Sequence, residues 1–325
     1  MTMTGVAGLS RVLYVFAPSW EWLLVGAVVM GFSGIYTPAL EAMIADSIPS
    51  EKRGMGFSIV RLIGSVSTTP APLIAGLLYL RIGLMQTMRL SYGLTVIGFL
   101  VAAILRTRLR ETVESPEKVN LREILGSYPV SLRESFGIWR SVPKDAFTLF
   151  LGNTMTMFSV GIFTPVFTLF MVEDLGIGEY ELSLIMATMF ITMIVFALPA
   201  GKLVDTIGKK KPLLASFVAW ALAVPLFIYG NFWRLILAMT LIGVLQVLIG
   251  SAGASWTADL VPVEQRGRVN GSTGFFALMA ISIGQLLGGW LYDNVSHSLP
   301  FLLQIFFMVP PFLLILFKTR EMVKP

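Results

Sequence analysis

The sequence predicts an all-α bundle of about ten membrane-spanning helices. Of its 325 residues, 55% are hydrophobic and 13% are charged, and the mean hydropathy is +0.79. One soluble core could not bury so much apolar surface. Apolar runs recur along the whole chain, and several are long enough to cross a hydrocarbon layer about 30 Å thick, which takes roughly 20 helical residues. Helices satisfy their own backbone hydrogen bonds in lipid, and the short alternating segments of a β-barrel are absent from the sequence.

Proline, glycine and charged residues divide the chain into ten candidate spans. These spans are predicted at residues 3–17, 20–47, 55–80, 84–106, 146–172, 180–203, 212–230, 233–260, 269–292 and 299–317. The predicted domains are a first half of four spans at 1–106, a charged linker at 107–144 and a second half of six spans at 145–325. Apolar linker residues that include Phe136 and Trp139 are compatible with an interfacial amphipathic segment and equally with a solvated connector.

The basic residues predict which way the chain crosses the membrane, because short cytoplasmic loops collect Lys and Arg. Of 24 such residues, only Arg81 and Arg234 fall in the loops of one side, and Arg11, Arg61 and Arg89 fall within spans. All the others lie on the opposite side, together with the linker and both ends of the chain. The pattern predicts a multi-pass protein of the plasma or inner membrane with cytoplasmic termini. It also assigns the formal charge of +5 to loop topology rather than to a nucleic-acid surface.

The residue types exclude several classes of protein. The chain has no Cys and a single His, His297, so disulfides, thiolate metal sites and cysteine nucleophiles are excluded and a His-based metal site lacks ligands. The Gly-x-x-x-x-Gly-Lys-Ser/Thr loop of an ATP-driven transporter is absent. No nucleophile motif of a membrane enzyme occurs either. We therefore predict a non-enzyme with no catalytic residue, no cofactor and no bound metal.

The two halves contain an internal repeat. At a shift of 213 positions, from Asp46 to Asp259, the first-half residues Ala45, Asp46, Pro49, Glu51, Arg53 and Gly54 recur as Ala258, Asp259, Pro262, Glu264, Arg266 and Gly267. Such parallel duplication of a helical unit is typical of one class of secondary transporters. The same shift leaves the fifth and sixth spans without counterparts, so we expect the first half to lack two helices at its N-terminus. A natural ten-helix protein is the alternative.

A short turn after the sixth span carries the most specific motif. The residues are Gly201-Lys202-Leu203-Val204-Asp205-Thr206-Ile207-Gly208-Lys209-Lys210-Lys211. This turn resembles the signature loop of the major facilitator superfamily, Gly-x-Leu-x-Asp-x-x-Gly followed by basic residues. The duplicated Ala-Asp-x-x-Pro-x-Glu-x-Arg-Gly segments resemble further cytoplasmic turns of that family. The resemblance implies two parallel repeat halves and secondary active transport by alternating access.

The same resemblance implies a set of cytoplasmic gate residues. It places Lys209 or Lys210 near Asp259, and Asp205 at the start of the span that begins near Asn270, where a helix N-terminus favours a carboxylate. The full set of gate candidates is Gly201, Asp205, Gly208, Lys209, Lys210, Asp46, Arg53, Asp259 and Arg266. Capping and anchoring of helices is the structural alternative for each residue.

Glycine-containing segments in the two halves offer a weaker resemblance. Ala71–Gly76 approximates a Gly-Pro-x-x-Gly-Gly motif associated with antiporters of the family, but its duplicate, Gly284–Gly289, lacks the proline. We therefore favour close helix packing through small residues at both segments.

Coupling and substrate residues are predicted from polar groups inside the spans. Where the family often carries an Arg linked to proton coupling, this chain has Ala27, which directs attention to Glu41 and Arg61 at matching depth on neighbouring spans. These two residues either couple transport to protons or pair structurally. Further candidates for substrate contact are Asn153, Gln246 and Gln285. The sequence thus predicts a carrier for a small molecule, with proton coupling and drug efflux as options. The alternative is a non-transporting receptor or regulatory protein on the same scaffold.

Overall fold

The computed structural model describes residues 2–33, 63–64, 66–107, 135–262 and 265–319. These residues are almost wholly helical, and no strand occurs among them. Within the same ranges, seven helices are long and apolar enough to cross a membrane. The predicted all-α membrane bundle is therefore confirmed. The chain divides into two compact units, Met1–Lys118 and Val119–Pro325.

The first unit contains four described helices. They are α1 (Thr2–Val15), α2 (Trp20–Ser33), α3 (Ala71–Ile82) and α4 (Leu84–Arg106). Helix α1 packs against α2 and α4, and α3 packs against α4. The tight turn between α3 and α4 is made by Gly83, whose φ of +78° is a conformation that side chains disfavour. Helix α4 has the bounds that the sequence predicts for this span.

The second unit contains six long helices. They are α5 (Lys144–Phe163), α6 (Glu179–Ile207), α7 (Lys210–Ile228), α8 (Phe232–Leu260), α9 (Arg266–Asn294) and α10 (Leu299–Lys318). Helix α5 packs against α9 and α10, α8 packs against α6 and α7, and a contact between α7 and α10 joins the two groups. The buried core is rich in aromatic and branched side chains, among them Trp220, Phe227, Met239 and Phe301.

The fifth predicted span is interrupted in the structure. The sequence predicts one helix over 146–172, but α5 ends at Phe163 and a turn follows at residues 164–166. A short helical turn at Phe167–Leu169 and a π-helical turn at Phe170–Asp174 complete the segment. The physical reason is Pro165, which has no N–H to donate and whose ring clashes with the carbonyl four residues earlier.

Glycines bring α5 and α9 into backbone contact. A Cβ added at Gly284 would lie 3.0 Å from the Cα of Gly161, and one at Gly288 would lie 2.6 Å from the carbonyl carbon of Ile162. Ordinary van der Waals contact begins at 3.4 Å, so neither position accepts a side chain at this helix separation. The packing interpretation of the segment Gly284–Gly289 is confirmed at these two glycines.

Candidate functional site

The basic end of the second unit is where the sequence predicts a gate. We use the name "basic end" for the end that carries Lys202, Lys209, Lys210, Lys211, Arg266, Arg268 and Lys318. Helix α6 ends here at Ile207 and α7 begins at Lys210, so the chain reverses within two residues. Gly208 makes this possible because its φ is +88°, in the region that favours glycine. The signature motif is therefore a tight turn that presents lysines at fixed positions.

The first of these lysines joins the turn to a neighbouring helix. The ammonium of Lys209 forms an ion pair with the Asp259 carboxylate in the last turn of α8. The Lys209 side chain is 18% exposed and that of Asp259 is 46% exposed, so water reaches the pair. A pair this accessible is worth about 0–1 kcal/mol. It can orient the turn, and it can also be broken at little cost.

The next lysine points to a different helix. Nζ of Lys210 donates hydrogen bonds to the carbonyl oxygens of Leu316 at 2.9 Å and of Thr319 at 2.7 Å. The last carbonyls of an α-helix have no partner within the helix, and a cation there is also favoured by the helix dipole. Lys210 thereby caps the end of α10. Two adjacent lysines thus tie the α6–α7 turn to α8 and to α10.

The other predicted gate residues have varied placements. Nε of Arg266 donates to the carbonyl of Val261 at 3.1 Å and so closes the turn between α8 and α9. The backbones of Gly201 and Asp205 lie in the last two turns of α6, at the C-terminus of this helix, whereas the side chain of Asp205 is outside the described part of the structure. Also outside the described residues lie Asp46, Arg53, Glu41 and Arg61.

The three polar candidates for substrate contact lie on different helices of the second unit. Asn153 is half-buried on α5, whereas Gln246 on α8 and Gln285 on α9 have exposed side chains. Exposure within this unit leaves the two amides available to a solute, to lipid or to another part of the protein. Their role in substrate contact stays a prediction.

The end of the predicted linker is anchored at the basic end. The indole Nε1 of Trp139 donates to Oγ of Ser272 at 2.8 Å, and Ser272 in turn donates to the carbonyl of Ser135 at 2.7 Å. The indole ring also stacks on Phe150, with centroids 3.8 Å apart. The described residues of this segment therefore pack on α5 and α9 through Trp139. The indole N–H has a hydrogen-bonding partner in the protein, so the linker is packed on this unit at Trp139, whereas its other predicted apolar residues up to residue 134 lie outside the described part of the chain.

At the opposite end of the unit, the side chains of Tyr292 and His297, which the sequence did not connect, both contact the carboxylate of Asp174. The ring nitrogen Nδ1 of His297 lies 2.6 Å from Oδ1 of Asp174, and the hydroxyl of Tyr292 donates to Oδ2 at 2.6 Å. The rings of Tyr292 and His297 stack with centroids 4.1 Å apart. Partial burial raises the pKa of Asp174, but the bonds from Tyr292 and His297 outweigh it and hold this pKa below its ordinary value. The cluster ties the π-helical turn to the end of α9.

Sequence reasoning also missed a buried amide. Gln304 on α10 is 2% exposed and borders an apolar cavity, whereas the polar residues that the sequence singled out include Gln246 and Gln285. A glutamine inside a predicted span is a usable signal of a polar site within the bundle, because burying its amide without a hydrogen-bond partner is costly. Composition alone does not say which glutamine is buried.

Comparison with known proteins gives a family match over the whole chain. The model of the Major Facilitator Superfamily matches residues 1–149 and again 149–325. Multidrug resistance protein MdtG of Citrobacter koseri is 25% identical over 250 residues, which is 76% of this chain and 56% of that protein. MdtG of Enterobacter lignolyticus is 25% identical over 294 residues, 87% of this chain and 64% of that protein. The chain therefore spans less than two thirds of the length of these relatives.

Solved structures of low sequence identity share the fold. A mutant form of the nucleoside transporter NupG superposes with a TM-score of 0.72 at 15% identity, and the match covers 97% of this chain and 81% of that one. The human organic anion transporter MFSD10 gives a TM-score of 0.65 at 17% identity, covering 96% of this chain and 75% of its own. The proteins named here are transport or resistance proteins and none is named as an enzyme, which agrees with the sequence prediction.

Proposed function

Because this chain belongs to the major facilitator superfamily and is a multi-pass membrane protein, we propose that it serves secondary active transport of a small organic molecule by alternating access. The observation that carries the proposal is the ion pair of Lys209 and Asp259 at the signature turn. In transporters built from repeats, one bundle rocks against another around a central site. Contacts at one end must then form and break in each cycle.

The basic end has the contacts that such a cycle needs. The turn is attached to α10 through two hydrogen bonds from Lys210, and to α8 through a hydrated ion pair that costs at most about 1 kcal/mol to break. We assign Lys210 to anchoring and the pair of Lys209 and Asp259 to gating. The gate faces the cytoplasm in this proposal, since the basic loops mark that side. Asp205 and Arg266, with their first-half counterparts Asp46 and Arg53, complete the proposed gate.

The proposed substrate is a neutral or amphipathic organic molecule. In the six predicted spans of the second half, Asp, Glu, Lys and Arg occur only at the residue next to a span end, so this half offers no full charge at mid-membrane depth. Charges at that depth are the usual partners of ionic substrates. The relatives named for multidrug resistance favour efflux. If the transport is proton-coupled, Glu41 beside Arg61 is the proposed titrating group.

Proteoliposome flux tests this proposal. We would measure release of preloaded chloramphenicol, a neutral probe, with and without a pH gradient, against protein-free liposomes. Asp259→Asn and Lys209→Gln should each reduce flux, and the charge-swapped pair Lys209→Asp with Asp259→Lys should recover part of it. Lys211→Gln is the matched control, because Lys211 is an exposed neighbour with the same charge. Full flux in Asp259→Asn protein would remove the pair from the mechanism.

The same experiment addresses the alternative function. A receptor or regulatory protein on this scaffold would bind a probe without moving it. Saturable probe binding in detergent together with absence of flux in liposomes, under either gradient, would favour that alternative.

A further inference from the structure

The linker segment at residues 135–143 packs against the turn that joins α8 to α9. Three apolar linker residues lie against a small buried cluster that has one member on α5, one in the turn and one on α9. The linker residues are Ile138, Trp139 and Val142, and the cluster consists of Ala146, Val261 and Val269. Leu260, the last residue of α8, packs against the same cluster. The linker and the end of α8 therefore share one apolar contact surface.

Stacking and hydrogen bonds fix Trp139 in this position. Its indole ring lies face to face with Phe150 on α5, with centroids 3.8 Å apart and an interplanar angle of 18°. Its Nε1 donates to Oγ of Ser272 on α9, and Ser272, which is 1% exposed, donates in turn to the carbonyl of Ser135. The buried hydroxyl thus accepts from the linker and donates to it. Loss of the indole would leave this hydroxyl with one partner fewer, which is costly in a buried place.

Two residues of the proposed gate lie close to the cluster along the chain. Asp259, which pairs with Lys209, comes two residues before Val261, and Nε of Arg266 donates to the Val261 carbonyl at 3.1 Å. The N–H of Val261 donates to the carbonyl of Thr257 at 3.0 Å and closes the last turn of α8. A displacement of Val261 therefore also displaces the last turn of α8 and the carboxylate of Asp259.

The apolar packing is stronger than the ion pair beside it. Water reaches the pair of Lys209 and Asp259, so the pair contributes little free energy by itself. Burial of a valine side chain contributes more than an exposed ion pair does, and Val261 is only 2% exposed. The apolar cluster can therefore decide where the end of α8 lies, whereas the ion pair forms only where that position brings its two charges together.

We propose that Trp139 is a positioning residue of the proposed gate. By packing on the cluster, the indole holds the last turn of α8 where the Asp259 carboxylate meets Lys209. The linker thereby controls this contact, because release of the indole from Phe150 and Ser272 lets the end of α8 shift and the ion pair part. That the contact is a gate rests on the proposed function, whereas the positioning itself can be measured without transport.

Cross-linking of introduced cysteines tests the proposal, since the unmodified chain has none. Lys209→Cys together with Asp259→Cys places one thiol at each side of the pair. The rate of cross-linking by a short bifunctional methanethiosulfonate then measures how closely the two positions approach in the full chain in detergent micelles. Trp139→Ala should slow this reaction about fivefold or more, because the ring contact and the indole hydrogen bond are both lost. An unchanged rate would overturn the proposal.

Two controls separate positioning from a general loss of structure. Trp233→Ala makes the same change at the other end of α8, where Trp233 is 75% exposed, and should leave the rate unchanged. A second cysteine pair, Asp174→Cys with His297→Cys, lies at the opposite end of the unit, and Trp139→Ala should not slow its cross-linking. Equal slowing at both ends would mean that Trp139 only stabilises the unit, and the proposal would fail.

Milder variants keep the proposal testable if Trp139→Ala folds poorly. Trp139→Phe keeps an aromatic ring that can stack on Phe150 and should recover most of the cross-linking rate. Ser272→Ala removes the hydroxyl that joins the linker to α9 and should slow the reaction less than Trp139→Ala does. If Trp139→Phe is as slow as Trp139→Ala, packing of the ring does not hold the end of α8, and the proposal is contradicted.

Liposome flux separates this inference from the proposed function. If the unmodified protein transports, Trp139→Ala should reduce flux, and adding it to Asp259→Asn should reduce flux no further, because both variants act on the same contact. Additive losses would contradict positioning through Asp259. If the unmodified protein shows no flux, the proposed function fails, while the cross-linking rates still decide whether Trp139 positions the end of α8.

Discussion

Replacing Gly288 with Ala should open the contact between α5 and α9. The new Cβ would lie 2.6 Å from the carbonyl carbon and 2.9 Å from the Cα of Ile162, whereas ordinary contact begins at 3.4 Å. The two helices must therefore move apart by about 0.8 Å or more, which is the difference between 3.4 Å and 2.6 Å. The neighbour is backbone, which cannot rotate away as a side chain end could.

The neighbouring glycine provides the matched control. Apart from the neighbouring backbone of its own helix, no described atom comes within 4 Å of a Cβ added at Gly289, so Gly289→Ala adds a side chain in open space. Alanine is favoured over glycine in a helix by about 0.8–1.0 kcal/mol. We therefore expect Gly289→Ala to be neutral or to stabilise the protein by up to about 1 kcal/mol.

The size of the Gly288→Ala effect follows from two opposing contributions. Overpacking a close contact costs about 1–3 kcal/mol, and a rigid backbone neighbour places this case at the upper end of that range. The helix preference of Ala recovers about 1 kcal/mol. The net expectation is a loss of about 2 kcal/mol of unfolding free energy, and a difference of about 3 kcal/mol between the two variants.

Unfolding in mixed micelles by titration with dodecyl sulfate would measure both variants against the parent protein. Helix content followed by circular dichroism gives the free energy of unfolding. The reasoning is refuted if Gly288→Ala is within about 0.5 kcal/mol of the parent, the usual range of a neutral substitution, or if Gly289→Ala is destabilised to the same extent. Either result would mean that α5 and α9 do not meet through this glycine.

Two further predictions concern the contacts at the two ends of the second unit. The pKa of Asp174 lies below its ordinary value of 3.8, so its bonds to Tyr292 and His297 stabilise the fold fully above that pH, and this stability is lost as the pH falls through the lowered pKa. Asp174→Asn should therefore lower the melting temperature at about pH 7, and this deficit should shrink as the pH falls below 3.8 toward the lowered pKa; a deficit that does not change with pH would contradict the assignment. Lys210→Met should cost about 1–2 kcal/mol because it removes the cation that caps α10, whereas Lys211→Met, at an exposed position, should cost nothing measurable in the same dodecyl sulfate titration. Equal losses would exclude the cap.

Most of the fold could be predicted from the sequence because lipid imposes a simple rule. A segment that crosses a membrane must be apolar and must satisfy its own backbone, so helices and their approximate ends follow from composition and from breaks in it. Helix α4 shows this, since its structural bounds of Leu84–Arg106 are those of the predicted span. The reversal at Gly208 follows in the same way, from a glycine placed between two apolar runs.

The fifth span shows the limit of that rule. Pro165 was visible in the sequence, but prolines occur inside α6, α7 and α10 without ending those helices. Neighbouring helices can satisfy the backbone groups that a proline frees, so whether a helix continues depends on its surroundings. The break after Phe163 was for this reason not predictable from the local sequence.

The sequence by itself determined the class of the protein, its repeats and the turn that carries the lysines. Only the tertiary structure decided which partner each polar side chain takes. Lys209 and Lys210 are adjacent, yet one reaches α8 and the other α10, and Asp174 meets His297 across 123 positions of the chain. Among the glutamines of the second half, packing buries Gln304 and leaves Gln246 and Gln285 exposed. Apolar patterning follows from the solvent around each helix, whereas a hydrogen bond or an ion pair depends on distances of about 3–4 Å, which are set only when helices far apart in sequence pack together.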